Sequence, residues 1–130
     1  MTADERTELA RRYFDAVHRD PAETVQLYTP GAVLHYSGGH RLSGDHHGPA
    51  AVQTLFQKSR EAFAGSQRLE VHDVLGSEHH AIALLAASAE RGGITVRWNR
   101  VVVFHMADGR ISEQWIVDGD QRLVDELIGS

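Results

Sequence analysis

The 130-residue sequence contains no cysteine, so disulfide bonds, thiolate nucleophiles and cysteine-ligated metals are excluded from the start. It has no apolar run near the ~20 residues that a membrane-crossing helix needs. Its first residues, MTADERTELARR, are charged and lack the apolar stretch of a secretory signal, so a cytoplasmic location is expected. Basic charge is also scarce, with 13 Lys and Arg against 18 Asp and Glu and a net charge of -5. Phosphate binding needs a concentrated basic face, and none is present. Neither a nucleic acid nor a membrane is therefore expected as partner. Internal repeats and low-complexity linkers are absent.

What is present has the make-up of an ordinary soluble domain. Hydrophobic residues are 42% and charged residues 24%, and the length suits one domain spanning residues 1–130. Thr2 and Glu5 have capping-box spacing, and Leu9, Tyr13, Ala16 and Val17 recur on one helical face. Asp20-Pro21 starts a second, short helix that carries Val25 and Tyr28 and is expected to stop at Pro30-Gly31. A strand is expected over 32–37, a loop over 41–48, and a third helix from Pro49 with Val52, Leu55, Phe56 and Phe63 in helical period. From Gln67 the period changes to that of strands, with turns at Gly76-Ser77, Gly92-Gly93 and Asp108-Gly109, and a closing helix over 121–128. Helices first and a long antiparallel meander afterwards predict an α+β fold.

Nine histidines are many for this length. The loop residues His40, Asp45, His46 and His47 invite a metal reading. Adjacent histidines on an extended chain point apart, however, so His46-His47 and His79-His80 are poor ligand pairs and no metal site is expected. The loop reads as solvated, with Asp45 available to cap the third helix or to line a pocket mouth.

Three stretches carry a family resemblance: RRYFDAV with VQLYTPGAVLHYSGG, then LSGDHHGPAAVQTLF, then VVVFHMADGRISEQWIVDGDQRLVDEL. Together they span nearly the whole chain, and it resembles nuclear transport factor 2, ketosteroid isomerase and the SnoaL-like polyketide cyclases. The resemblance implies a cone-shaped fold in which a strongly curved, mostly antiparallel sheet is wrapped by three helices around a pocket. It also implies a cofactor-independent acid/base enzyme (isomerase, polyketide-type cyclase or epoxide-opening) acting on a small hydrophobic or carbonyl-containing molecule. The same fold serves non-catalytic binding and dimerisation modules. A homodimer is expected, joined through the sheet face that bears Val101, Val103, His105 and Trp115.

The last strand alternates Ser112, Gln114, Ile116 and Asp118 on one face with Ile111, Glu113, Trp115 and Val117 on the other. The resemblance turns the first face to the cavity and makes Asp118 the candidate acid/base, with Asp120 competing; either can instead cap the closing helix. Tyr13 stands where ketosteroid isomerase places its oxyanion-binding tyrosine, and otherwise reads as a core aromatic. His35 and Tyr36 occupy the strand of that enzyme's base; they alternate, so only one faces the cavity, and neutral His35 is a candidate base. Tyr36 and Val102 replace the two carboxylates of ketosteroid isomerase, so steroid isomerisation is not implied. Trp98, Arg100, Val102 and Phe104 share a strand face, from which Arg100 can pair with Asp118 across neighbouring strands. Tyr36, Phe56, Trp98, Arg100, Phe104, Gln114 and Asp120 are the expected substrate-binding residues.

Overall fold

Residues 1–130 are all described by a computed structural model. Helix α1 covers Ala3–Arg19 and starts with the expected capping box: Glu5 N–H donates to the Thr2 hydroxyl at 3.1 Å, and Thr2 N–H donates to the Glu5 carboxylate at 2.8 Å. Its inner stripe buries Leu9, Ala10, Tyr13 and Phe14. Asp20 caps α2 (Pro21–Thr24) by accepting from Ala22 N–H at 3.0 Å, with Pro21 at the helix start where a missing N–H costs nothing. One 3-10 turn, Val25–Leu27, follows.

Pro30-Gly31 does not end a helix. Both lie inside strand β1 (Tyr28–Tyr36), where the pairing with the last strand shifts register between Tyr28 and Val33. Proline cannot donate to a ladder, and such an irregularity is where a strand tolerates it. The segment expected as loop contains a short edge strand, β2 (Gly44–His47), paired antiparallel to β1. Its GDHH sequence has no apolar alternation because most of it is exposed. Asp45 therefore belongs to β2 and does not cap α3 (Gly48–Ala62), whose N-cap position is held by His47.

Strands β3 (Arg68–Gly76), β4 (His80–Arg91), β5 (Ile94–Ala107) and β6 (Arg110–Asp118) form the expected antiparallel meander, and α4 (Gln121–Ile128) closes the chain. The curved sheet has the order β2-β1-β6-β5-β4-β3, with β1 and β6 as its one parallel pair. Two bulges invert simple alternation. Between Val71 and Asp73 the β3 register shifts, so Val74 turns into the core and Leu75 is 52% exposed. In β6 the shift falls at Ser112, which places Ile111 on the same buried face as Gln114, Ile116 and Asp118. The turn Asp108-Gly109 has positive φ at both residues (54° and 78°), as a two-residue hairpin requires. The helices α1 and α3 pack on the concave face over one contiguous apolar core. No helix is long and apolar enough to cross a membrane.

Candidate active site

Between α1, α3 and the concave sheet face lies a cavity of about 380 Å³, large enough for a small organic molecule. Leu55, Phe56, Leu69 and Ile116 supply apolar wall, and Tyr13, Tyr36 and Arg100 bring polar groups to it.

The polar end follows from strand register. Residues two apart on β5 share a face, so Trp98 and Arg100 both turn inward, and Asp118 of β6 is the direct cross-strand partner of Arg100. Asp118 Oδ1 accepts from Arg100 Nε at 2.8 Å and from Trp98 Nε1 at 2.8 Å. The side chains of Arg100 and Asp118 are 7% and 0% exposed. Arg100 Nη2 then donates to the Tyr36 hydroxyl at 2.9 Å. Burial pulls the Arg100 pKa down, but the potentials of Tyr36 and Asp118 outweigh it and raise the pKa above the usual arginine range. Burial raises the Tyr36 phenol pKa, against the pull of Arg100, so the phenol is neutral near pH 7.

A guanidinium has no acceptor. The Tyr36 oxygen must therefore receive the Arg100 hydrogen bond, which leaves the phenol's own O–H for another partner. No side-chain or backbone group of the protein accepts that proton, and Tyr36 lines the cavity. Asp118, with no exposed side-chain surface, is not part of the wall and acts on the cavity through Arg100.

Below these groups, Tyr28 donates to the Gln114 side-chain oxygen, and Tyr13 sits beside both, its phenol pKa raised by burial. Gln114 is wholly buried and its amide nitrogen has no partner. Phe104 is also wholly buried, packed edge-on to Tyr13 at 5.2 Å and Phe14 at 5.9 Å, and so supports the floor from behind. Trp98 stacks on Phe63 at 6.0 Å and reaches the site through Asp118.

Trp98, Phe104 and Gln114, expected to bind substrate, thus lie behind the cavity wall and do not line it, and two further expected site residues lie elsewhere. His35 points to the convex face of the sheet because Leu34 and Tyr36, its neighbours in the alternation, point inward. There it bridges Asp45 and Glu113 at 2.6 Å each and stacks on Trp115. Partial burial pulls its pKa down, but the hydrogen bonds and charges of the two carboxylates outweigh this and raise it. It is not a base facing the cavity. Asp120 is exposed and caps α4 by accepting from Leu123 N–H at 3.2 Å, so it does not touch the cavity either.

Other site residues gave no sequence signal. His40, expected as a solvated loop residue, is buried with its ring edge-on to Tyr36 at 4.7 Å. Its Nδ1 accepts from Leu42 N–H at 3.1 Å, its Nε2 has no partner, and burial lowers its pKa. A loop has no periodicity from which such burial can be read. His18, Arg60 and Arg68 also line the cavity, and their spacing forms no motif.

The family model described as a SnoaL-like domain matches residues 10–114. The chain belongs to the SnoaL-like domain family. Among solved structures, this SnoaL-like chain is similar to Bal32a from a soil-derived mobile gene cassette, with 26% identity, a TM-score of 0.89 and 98% of each chain covered. A protein of unknown function with a cystatin-like fold from Xanthomonas campestris shares 26% identity at a TM-score of 0.88 over 100% of both chains. A Jannaschia protein described as a SnoaL-like polyketide cyclase is 15% identical, with a TM-score of 0.80 over 98% of this chain and 94% of that one, a likeness of fold alone. No curated protein matches the chain.

Proposed function

We propose that this SnoaL-like chain is a cofactor-independent acid/base enzyme whose cavity takes a small, largely apolar molecule with an oxygen at its inner end. The observation that carries this reading is the chain of contacts from Asp118 through Arg100 to Tyr36, which ends in a phenol O–H available to the cavity. Isomerisation of an enone, aldol cyclisation and epoxide opening share one demand: negative charge grows on a substrate oxygen. Tyr36 gives its phenol proton to that oxygen, and the resulting phenolate takes up the C–H or water proton that the same reaction releases, so the phenol is restored at the end of the cycle. Arg100 stabilises the charge that then accumulates on the phenol, and Asp118 fixes Arg100 and balances its charge. Fixed donors in a low-dielectric cavity serve a transition state better than water does. Asp118 is thus a positioning residue, and Tyr13 a second phenol at the cavity floor.

Tyr36→Phe tests the reading. Turnover of a carbonyl or epoxide substrate should fall by about 10² or more, the usual worth of one positioned donor, with the far-ultraviolet spectrum and melting profile unchanged. Unaltered turnover in the folded variant would remove the proposal. A second reading, a ligand-binding module without catalysis, is favoured by the cavity wall, which holds no carboxylate. The only imidazole there, His18, has both nitrogens against carbonyl oxygens of Phe14 and Leu69, at 2.6 and 2.9 Å. Tight binding of carbonyl compounds with no turnover in the unmodified protein would select it.

We also propose that the convex sheet face joins two copies of the chain. Leu75, Ile82, Val103 and Trp115 form one cross-strand row there, and Val117 beside them is 43% exposed. Apolar surface of this kind is usually covered.

A further inference from the structure

Building on that reading, we infer that the cavity selects an amphipathic anion: a molecule with an uncharged oxygen at the Tyr36 end, an apolar body, and a carboxylate or equivalent anion at the outer end. The charge around the cavity runs opposite to that of the chain as a whole. Across the chain, acidic residues outnumber Lys and Arg by 18 to 13. Among the 15 residues that line the cavity the bias is reversed: Arg60, Arg68 and Arg100 are present and no Asp or Glu is.

These cations do not serve the same end. Arg100 is buried and its charge is matched by Asp118 at 2.8 Å, so it is committed to the inner, hydrogen-bonding end. Arg60 and Arg68 are exposed, one on the last turn of α3 and the other on the first residue of β3. Neither has a carboxylate partner; the arginine ion pairs outside the site are Arg19–Glu23, Arg91–Glu126 and Arg122–Glu126. Both flank the α3–β3 connection and line the same cavity: Gly65 N–H donates to the Arg60 carbonyl at 2.9 Å, and Arg68 Nη1 donates to the carbonyls of Gly65 and Gln67 at 3.0 Å each. Those last two bonds already order one guanidinium, lowering the entropy lost when it meets an anion. The remaining N–H groups of Arg68 and all those of Arg60 are free of side-chain partners, and a guanidinium fork suits a carboxylate.

The apolar wall supplied by Leu55, Phe56, Leu69 and Ile116 lies in the same cavity as both polar ends. A neutral apolar ligand would leave the outer cations unused, and a small inorganic anion would leave the wall unfilled. An amphipathic anion uses both. Because Arg60 and Arg68 are exposed, solvent screens them, and their combined contribution is modest.

A matched pair of probes isolates that contribution: para-benzoylbenzoate, which has a ketone between two rings and a carboxylate beyond, and its uncharged amide, para-benzoylbenzamide. Affinities are measured by isothermal titration calorimetry on the full chain, on Arg60→Gln/Arg68→Gln, and on Tyr36→Phe. The carboxylate should bind about tenfold more tightly than the amide, and the ratio should fall to near one in the double variant. A ratio near one in the unmodified protein, a ratio unchanged in the double variant, or binding of neither probe would overturn the inference. Tyr36→Phe reports on the underlying reading separately. If it weakens neither probe while the charge preference persists, the role of Tyr36 fails and the anion preference stands. If it weakens both probes and no preference exists, the anion preference alone fails.

Discussion

Asp118 accepts both of its hydrogen bonds through one carboxylate oxygen and leaves the other buried without a partner. Its charge, more than its hydrogen-bonding capacity, is therefore what the site needs. Asp118→Asn keeps an acceptor for Trp98 and Arg100 but leaves the buried guanidinium without its counter-charge. Removing one member of a buried ion pair costs about 3–5 kcal/mol, and chemical denaturation of the variant should show a loss of about that size. A loss below about 1 kcal/mol would mean that cavity water already solvates Arg100. The pair itself was legible in the sequence, because Arg100 and Asp118 sit on facing strands of one strongly marked hairpin. So was the choice between His35 and Tyr36 as a question; its answer depended on which alternate residues of β1 the helices cover. His40 was not legible, since its burial comes from a loop folding under Tyr36.

At the scale of elements, periodicity located α1, α3, α4 and the four strands of the meander, whereas the second helix, expected to run on through Tyr28, ends at Thr24 and yields to β1. The bulges were missed because one extra residue leaves the hydrophobic composition of a strand unchanged. Ile111 and Val74 turned inward for this reason. The end of β3 illustrates a tighter constraint. A Cβ on Gly76 would collide with the Ala3 carbonyl and the Thr7 hydroxyl of α1, whereas one on Gly31 would meet nothing within 4 Å. Gly76→Ala should destabilise the protein by about 1–3 kcal/mol and Gly31→Ala by much less, as read from urea midpoints. The edge strand β2, paired to β1 along its backbone, is also tied to the sheet by His35, which links Asp45 of β2 to Glu113 of β6 from its place on β1. Because the folded-state pKa of His35 is raised, the stabilisation from this link is complete below the unfolded value near 6.5 and fades as pH rises through the folded value. The stability difference between the unmodified protein and His35→Gln, read from urea midpoints, should therefore shrink as pH rises above about 6.5, and modestly because the carboxylates are exposed. A difference that grows with pH would refute this.

For the whole molecule, light scattering coupled to size exclusion should give twice the 14.4 kDa chain mass. Substituting Val103→Glu in the centre of the convex row should shift it to one chain mass. A single-chain mass for the unmodified protein would reject the dimer. The general architecture was readable because the helix-then-meander order admits few arrangements, but the sheet's one parallel pair was not. That pair sets an order of events in time. Tyr28 and Gln114, which hydrogen-bond across it, are 86 residues apart, and Tyr36 reaches Arg100 across 64. Nothing in β1 finds its main neighbour until β6 exists. At synthesis rates of about 5–20 residues per second, β1 waits on the order of 4–17 seconds with only β2 and α3, made soon after it, to lie against it. The chain is thus most open to wrong partners while it is being made, and the cavity's polar end is among the last features to come into being.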